Sequence, residues 1–439
     1  MRTFLIILFS FGFLFCVFQP DNIYSQTWIR QQTPTNLWLN KCSFPDSLNG
    51  WAAGEDGVIL HTSNGGTNWS MQNSPVNFFI YDIYFLNTRL GWAIADDNFP
   101  NRSAILSTTN GGVNWTYYRY PDSTFLLYSV FFRDSLNGYM AGYGGTILRT
   151  SNGGNNWLFA LKDSLYASLS IYKVSFYNEN TGFAAGGSYD IAGRIWNTTN
   201  GGLNWISNAL VSEPLFCFDI LSPSKVISLG GDFDYGAIQA KTFNGGGNWI
   251  YDYLYMFGEA RGVSFRTESE GWAVLGFAAR FAYTLDTANT WHTMNVPDTS
   301  SLYDIIFTDP FHGWAVGTKG SVYKYNAQTI GINNNHNSVP LAFKLYQNYP
   351  NPFNPTTKIK FDVPSAPLSF GEGNAPYGAG VRLIIFDALG REIQTLLREK
   401  LNPGTYEVDF NGNNLPSGIY FYKLTAGNYS DAKKMVLIK

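Results

Sequence analysis

The chain has 439 residues, a formal net charge of −3, 14% charged side chains and 17% aromatic ones. That balance excludes a disordered or polyelectrolyte chain and gives no electrostatic basis for nucleic-acid binding. Three cysteines cannot build a disulfide scaffold, and the excess of Trp, Tyr, Phe and Gly favours short strands joined by tight turns.

Residues 1–26 read as an export leader. Arg2 supplies the positive start, residues 4–18 form an apolar run too short for a comfortable membrane span, and cleavage is expected near Ser25 or Gln26. No later segment approaches 18 apolar residues, so the mature chain is expected to be exported without a transmembrane helix. Cys42 and Cys217 read as buried free thiols.

One octet recurs through the middle of the chain. It runs Thr62-Ser-Asn-Gly-Gly-Thr-Asn-Trp69 and returns ending at Trp115, Trp157, Trp205, Trp249 and, degenerately, Trp291. The terminal Trp residues are 46, 42, 48, 44 and 42 positions apart, and Trp28 is an orphan of the same slot. A second signal precedes each octet: Gly50-Trp51-Ala-Ala-Gly54, Gly91-Trp92, Gly138-Tyr139, Gly182-Phe183, Gly271-Trp272 and Gly313-Trp314, with Val226 to Gly230 in the vacant fifth slot. Units of about 44 residues with four strand signals and no sustained helical period predict propeller blades. The last unit ends after three strands, near Val322 to Tyr325. The predicted fold is therefore all-β: a seven-bladed β-propeller over 27–326, closed by the N-terminal strand that starts at Trp28.

The octet resembles the Asp-box of sialidase-type propellers. Together with Gly-Trp-Ala-x-Gly and the strand Ile59 to Thr62, it is closer to the photosystem II assembly and stability factor-like repeats of secreted bacterial propellers. Physically the octet is a turn device, with Asn64, Asn110, Asn152, Asn200, Asn244 and Asp286 accepting bonds from turn amides. Its terminal residues, Trp69, Trp115, Trp157, Trp205, Trp249 and Trp291, are expected to bury between sheets. Each would contribute about 5 kcal/mol gross from ~200 Å² of ring.

Residues 327–341 read as a polar linker containing His336. The segment 342–439 shows seven or so short strands, predicting an immunoglobulin-like β-sandwich with a Gly/Pro-rich insertion at 365–380. Its motifs resemble the type A C-terminal sorting domain of the type IX secretion system. They include Pro350, Asn351, Pro352, Phe353, Asn354 and Pro355, then Gly418 and Tyr420 of Leu415-Pro-Ser-Gly-Ile-Tyr-Phe-Tyr422, and Lys434 near the end. The resemblance implies passage across the outer membrane by that machinery. It also implies removal by its C-terminal-domain peptidase, with release or surface attachment.

No cofactor and no metal centre is expected. His61, His292, His312 and His336 lack ligand spacing, and Asp232-Phe-Asp234 lacks the terminal acid of a calcium loop. No nucleophile elbow or phosphate loop is present. The candidate ligand site is the channel mouth, where inner strands begin. Aligning on the Gly-Trp signal places Lys41, Asp82, Ser129, Lys173, Asp219, Gly262 and Asp304 there, preceded by Tyr81, Tyr128, Tyr172, Phe218, Arg261 and Tyr303. Trp38 joins them: of the two Trp residues outside both Trp slots, Trp38 and Trp196, it is the one near a mouth loop. The reading that follows is an exported binding or adhesion protein taking a glycan or protein ligand, and not an enzyme. A secreted glycoside hydrolase using two mouth carboxylates and a photosystem-assembly factor are the alternatives.

Overall fold

The structure, a computed structural model, describes residues 27–97, 103–120, 126–162, 169–326, 342–364, 379–401, 404–413, 415–427 and 429–439. The expected leader, the linker with His336 and residues 365–378 of the expected insertion lie outside these described residues. The chain divides into two compact units between Ala327 and Gln328.

Among the described residues, the first unit holds seven four-stranded antiparallel sheets. Six take consecutive strands. In the seventh, Leu302–Asp309, His312–Gly317 and Val322–Tyr325 are joined by Trp28–Gln31, with Trp28 opposite Tyr325 and Gln31 opposite Val322. The inner strands are Leu39–Ser43, Ile80–Phe85, Leu127–Phe132, Ser170–Phe176, Leu215–Ser222, Gly262–Phe265 and Leu302–Asp309, numbered below as blades 1 to 7.

Blades lock together through a three-part contact that the sequence signals encode. The Gly that opens each Gly-Trp pair lies under a Phe of its own blade: a Cβ on Gly91 would sit 2.5 Å from the Phe85 ring, and one on Gly138 2.6 Å from Phe132. That Phe receives the Trp of the preceding blade. Trp51 stacks on Phe85 at 3.5 Å, Trp92 on Phe132 at 3.5 Å and Trp314 on Phe44 at 3.8 Å. The indole nitrogens then reach the next octet, Trp51 Nε1 donating to Gly111 O and Trp314 Nε1 to Gly65 O, each at 3.2 Å.

The octets fold alike. Thr62 Oγ1 accepts the Gly66 amide at 2.9 Å and Asn64 Oδ1 accepts the Asn68 amide at 2.9 Å. Asn110, Asn152, Asn200, Asn244 and Asp286 do the same at their own turns. Gly65 and Gly66 adopt φ of 65° and 88°; in the degenerate copy Thr287 and Ala288 are held at φ 60° instead, a conformation costly for residues with a Cβ.

One expectation needs correcting. The octet Trp residues are not the deeply buried ones: Trp69 and Trp115 are buried, but Trp157, Trp205, Trp249 and Trp291 are half-buried. Trp51, Trp272 and Trp314 of the Gly-Trp slot are 0%, 2% and 0% exposed. The reason is position. The octet precedes the outermost strand, whereas the Gly-Trp pair opens the second strand, in the layer packed between blades.

The second unit contains a three-stranded sheet (Lys344–Leu345, Thr356–Val363, Gly404–Asn411) and a four-stranded one (Glu392–Leu401, Ala379–Asp387, Gly418–Ala426, Tyr429–Leu437). Both face one core that includes Phe361, Val408, Ile385, Tyr422 and Met435. The proline-rich motif is built onto the last strand. Phe353 is 1% exposed, its amide donates to Val436 O at 2.9 Å, and Asn351 Oδ1 accepts the Val436 amide at 2.9 Å. Pro350, Pro352, Asn354 and Lys434 are exposed, Pro355 and Gly418 half-buried, and Tyr420 is buried with its hydroxyl on Pro416 O.

Candidate functional site

The channel mouth is shaped by a repeated backbone irregularity. In six of the seven inner strands the register against the second strand slips by one residue, leaving Asn40, Tyr81, Tyr128, Tyr172, Phe216 and Tyr303 as the extra, bulged residues. A β-bulge re-aims a side chain that a regular ladder would direct elsewhere. All six line one cavity of about 320 Å³, together with Trp38, Lys41, Phe79 and Arg261. The last Gly of Gly-Trp-Ala-x-Gly makes room for the bulge. A Cβ on Gly54, Gly142, Gly186 or Gly317 would stand 2.0 Å from the carbonyl oxygen of Trp38, Leu126, Ser170 or Ser301. Blade 6 has Leu275 in that slot, and its inner strand pairs without a slip.

The rings form an almost continuous arc. Centroid separations are 4.4 Å for Tyr303–Trp38, 5.0 Å for Trp38–Phe79, 5.3 Å for Tyr81–Tyr128, 5.6 Å for Tyr128–Tyr172 and 5.0 Å for Tyr172–Phe216. Arg261 completes it, its guanidinium 3.9 Å above the Phe216 ring and bonded to Glu259 and to the Tyr189 hydroxyl. Burial pushes the Tyr128 phenol up to about 12 and raises Tyr81, Tyr172 and Tyr303, further from neutral pH than the ordinary phenol, which is itself protonated there.

Of the mouth residues expected from sequence, Trp38, Lys41 and Arg261 line the cavity with Tyr81, Tyr128, Tyr172 and Tyr303. Asp82, Ser129, Lys173, Asp219 and Asp304 are not in its lining. Lys41 bonds Asp304 at 3.3 Å; burial works against its charge, but the Asp304 and Asp82 carboxylates outweigh it and hold its pKa up. The polar residues at the strand starts mostly do another job. Each junction is crossed by at least one side chain that grips the backbone of the next inner strand. Asp82 accepts the Val130 amide at 2.8 Å, Ser129 accepts Val174 at 3.2 Å, Asp219 accepts Phe265 at 2.7 Å and Asp304 accepts Cys42 at 3.0 Å. Lys173 donates to Phe218 O at 2.8 Å, and Ser43 and Ser264 accept Phe85 and Phe307 at 2.8 and 3.0 Å. These bonds run from blade 1 through blade 7 and back to blade 1.

The alignment of blade 5 was two residues out. Its equivalent position is Cys217, opposite Leu229, so the mouth aromatic is Phe216, whereas Phe218 is buried in the packing layer. That blade has no Gly-Trp pair; its one register mark is Gly230, which stands opposite Leu215 as Gly54 stands opposite Leu39. Burial pushes the Asp82 carboxyl up to about 6 against the Lys41 charge and the Val130 amide, and raises Asp219 as well. It also pushes the Cys217 thiol up to about 12 and Cys42 well above its usual value, which leaves two buried, unreactive thiols.

Sequence reasoning set Asp232 aside as a calcium-loop residue and missed the acidic group it forms at the mouth end. Asp190, Glu213 and Asp232 bring carboxylate oxygens within 4.8 Å of one another, from a turn of blade 4, the link to blade 5 and the end of the second strand of blade 5. His61 stacks on Trp51 at 4.6 Å, and His312 bonds Asp309 at 2.8 Å.

The ringed blades and the bulge-lined mouth define a β-propeller, joined here to a small two-sheet unit. Residues 68–251 match the photosynthesis system II assembly factor YCF48 family, and residues 347–439 match the secretion system C-terminal sorting domain. The chain therefore carries a YCF48-like propeller domain and a type IX C-terminal sorting domain, which marks a secreted or cell-surface protein. Among solved structures it is similar to YCF48 bound to D1 peptide (20% identity, TM-score 0.57, 69% of this chain and 97% of that one). YCF48 from Cyanidioschyzon merolae compares at 20% identity and TM-score 0.56, covering 69% and 100% of the two chains. A streptogramin B lyase shares the fold at 12% identity and TM-score 0.54, covering 68% and 96%. No curated protein matches the sequence. No helix among the described residues is long and apolar enough to cross a membrane.

Proposed function

We propose that this protein is an exported, non-catalytic recognition protein whose propeller mouth takes a segment of an extracellular protein. One observation carries the reading: six blades each place a bulged side chain into one cavity. Sheet pairing does not require those bulges, so they are explained by what they present. Half-buried rings edged by phenol hydroxyls, a lysine and a stacked arginine suit side chains and backbone amides together. The YCF48 structure bound to a peptide supports a peptide occupant over a sugar.

The hydrolase alternative finds less support, because Asp82 and Asp304 already hold backbone amides of neighbouring blades. A photosystem-assembly role fits poorly with a sorting domain that directs the chain out of the cell. The test uses the full chain on a peptide array and on a polysaccharide array. Peptide spots that bind the wild type and fade with the Tyr128→Ala/Tyr172→Ala pair support the reading. Binding confined to the polysaccharides, or spots untouched by the pair, would overturn it.

A further inference from the structure

A second, larger cleft opens at the end of the ring opposite the mouth. Inner strands begin at the mouth and third strands run back to the octets, so every octet turn lies at the far end. Between the octets of blades 3 and 4 the structure holds a cleft of about 820 Å³, within the range of ~300–1,000 Å³ usual for ligand sites. At this junction Tyr139 occupies the slot that Trp51 and Trp314 fill elsewhere. Its smaller ring still reaches the next turn, the hydroxyl donating to Gly201 O at 2.7 Å.

The lining has a definite chemistry. Arg133 and Arg149 stand on the blade 3 wall, and Tyr118 from blade 2 presents a 49% exposed ring. Arg133 is engaged, donating to Glu179 O at 2.7 Å and lying 3.6 Å from Asp134. Arg149 is half-buried, and its guanidinium has no hydrogen bond or ion pair among the described residues. Carboxamides crowd the remainder, Asn156 and Asn180 among them, and Glu179 is the one acidic residue of the lining.

We propose that this cleft binds a carboxylate-bearing glycan. A free guanidinium forks onto a carboxylate with two parallel hydrogen bonds. Carboxamides donate and accept at once, which matches vicinal sugar hydroxyls, and an exposed tyrosine ring covers the C–H face of a pyranose. A phosphate ligand would use the guanidinium but leave the amides and the ring without partners. The site is independent of the mouth, since it lies at the other end of the blades.

The test titrates the full chain calorimetrically with trigalacturonate and, as the uncharged control, maltotriose. Trigalacturonate is expected to bind, with maltotriose weaker by roughly tenfold or more and binding falling as salt rises. Arg149→Gln should weaken trigalacturonate roughly tenfold at an unchanged melting temperature, and Tyr118→Ala should weaken it in the same direction. The mouth pair Tyr128→Ala/Tyr172→Ala should leave it untouched. No binding by the wild type, equal binding by Arg149→Gln and Tyr118→Ala, or loss in the mouth pair would each overturn the proposal.

Discussion

Replacing Trp51 with Ala tests the packing logic that joins the blades. The ring is fully buried, stacked on Phe85 at 3.5 Å, with its Nε1 on Gly111 O. Removing ~200 Å² of ring at ~25 cal/mol per Å² forfeits about 5 kcal/mol gross, and buried Trp→Ala changes cost about 3–5 kcal/mol once the site relaxes. The orphaned-carbonyl penalty is absent, because Gln72 Nε2 also donates to Gly111 O at 2.8 Å. The net expectation is about 4 kcal/mol, or a drop of roughly 10 °C in melting temperature for a domain of this size. Trp157→Ala is the control: its ring is half-buried, edge-on to Phe132 at 5.8 Å, and about 2 kcal/mol is expected. Equilibrium urea unfolding followed by circular dichroism measures both without relying on indole fluorescence. If Trp157→Ala costs as much as Trp51→Ala, the assignment of the deep blade contact to the Gly-Trp slot is wrong.

Three further outcomes follow from the geometry. Gly186→Leu, whose Cβ would meet Ser170 O at 2.0 Å and which installs the residue that the bulge-free blade 6 carries as Leu275, should cost at least ~2 kcal/mol and displace Tyr172 from the mouth, read by urea unfolding and by peptide binding together. Asp82 carries a folded-state pKa of about 6 against an unfolded value near 4. Its proton is therefore bound in the folded chain where the unfolded chain has lost it, so stability contributed below pH 4 is lost as pH rises through 6. The difference in unfolding free energy between wild type and Asp82→Asn should shift by up to about 3 kcal/mol over that window; a flat difference would show that Asp82 titrates normally. Ala288→Gly, which relieves a φ of 60° in the degenerate sixth turn, should raise stability by about 1 kcal/mol, and a lower melting temperature would count against the strain.

Much of this protein was legible as text because its signals are local. The octet fixes its turn through contacts four residues apart, Thr62 with Gly66 and Asn64 with Asn68, so composition and spacing suffice. Orphan Trp28 likewise carried the slot of an outer strand, and its segment pairs with Val322–Tyr325. The mouth was only half legible. Tyr81, Tyr128, Tyr172 and Tyr303 stood out by alignment, but a bulge is a fact of register between two strands and leaves no residue type of its own. Its one textual trace is the final Gly of Gly-Trp-Ala-x-Gly, which blade 2 replaces with Ala95 while keeping the bulge. Asp82, Ser129 and Asp304 drew attention as polar residues beside a channel, yet their bonds go to backbone some 45 or more residues away, or across the ring. The far cleft drew none, being assembled from strands and turns of three blades.

The central claim is a division of labour: polar strand-start residues bind blade to blade, and bulged aromatics face the ligand. Asp82→Ala and Tyr128→Ala/Tyr172→Ala, measured side by side for melting temperature and peptide-array binding, separate the two roles. The account predicts that Asp82→Ala melts lower yet keeps its peptide spots, whereas the tyrosine pair melts near wild type and loses them. The reverse pattern, or both variants losing binding in proportion to stability, would contradict it.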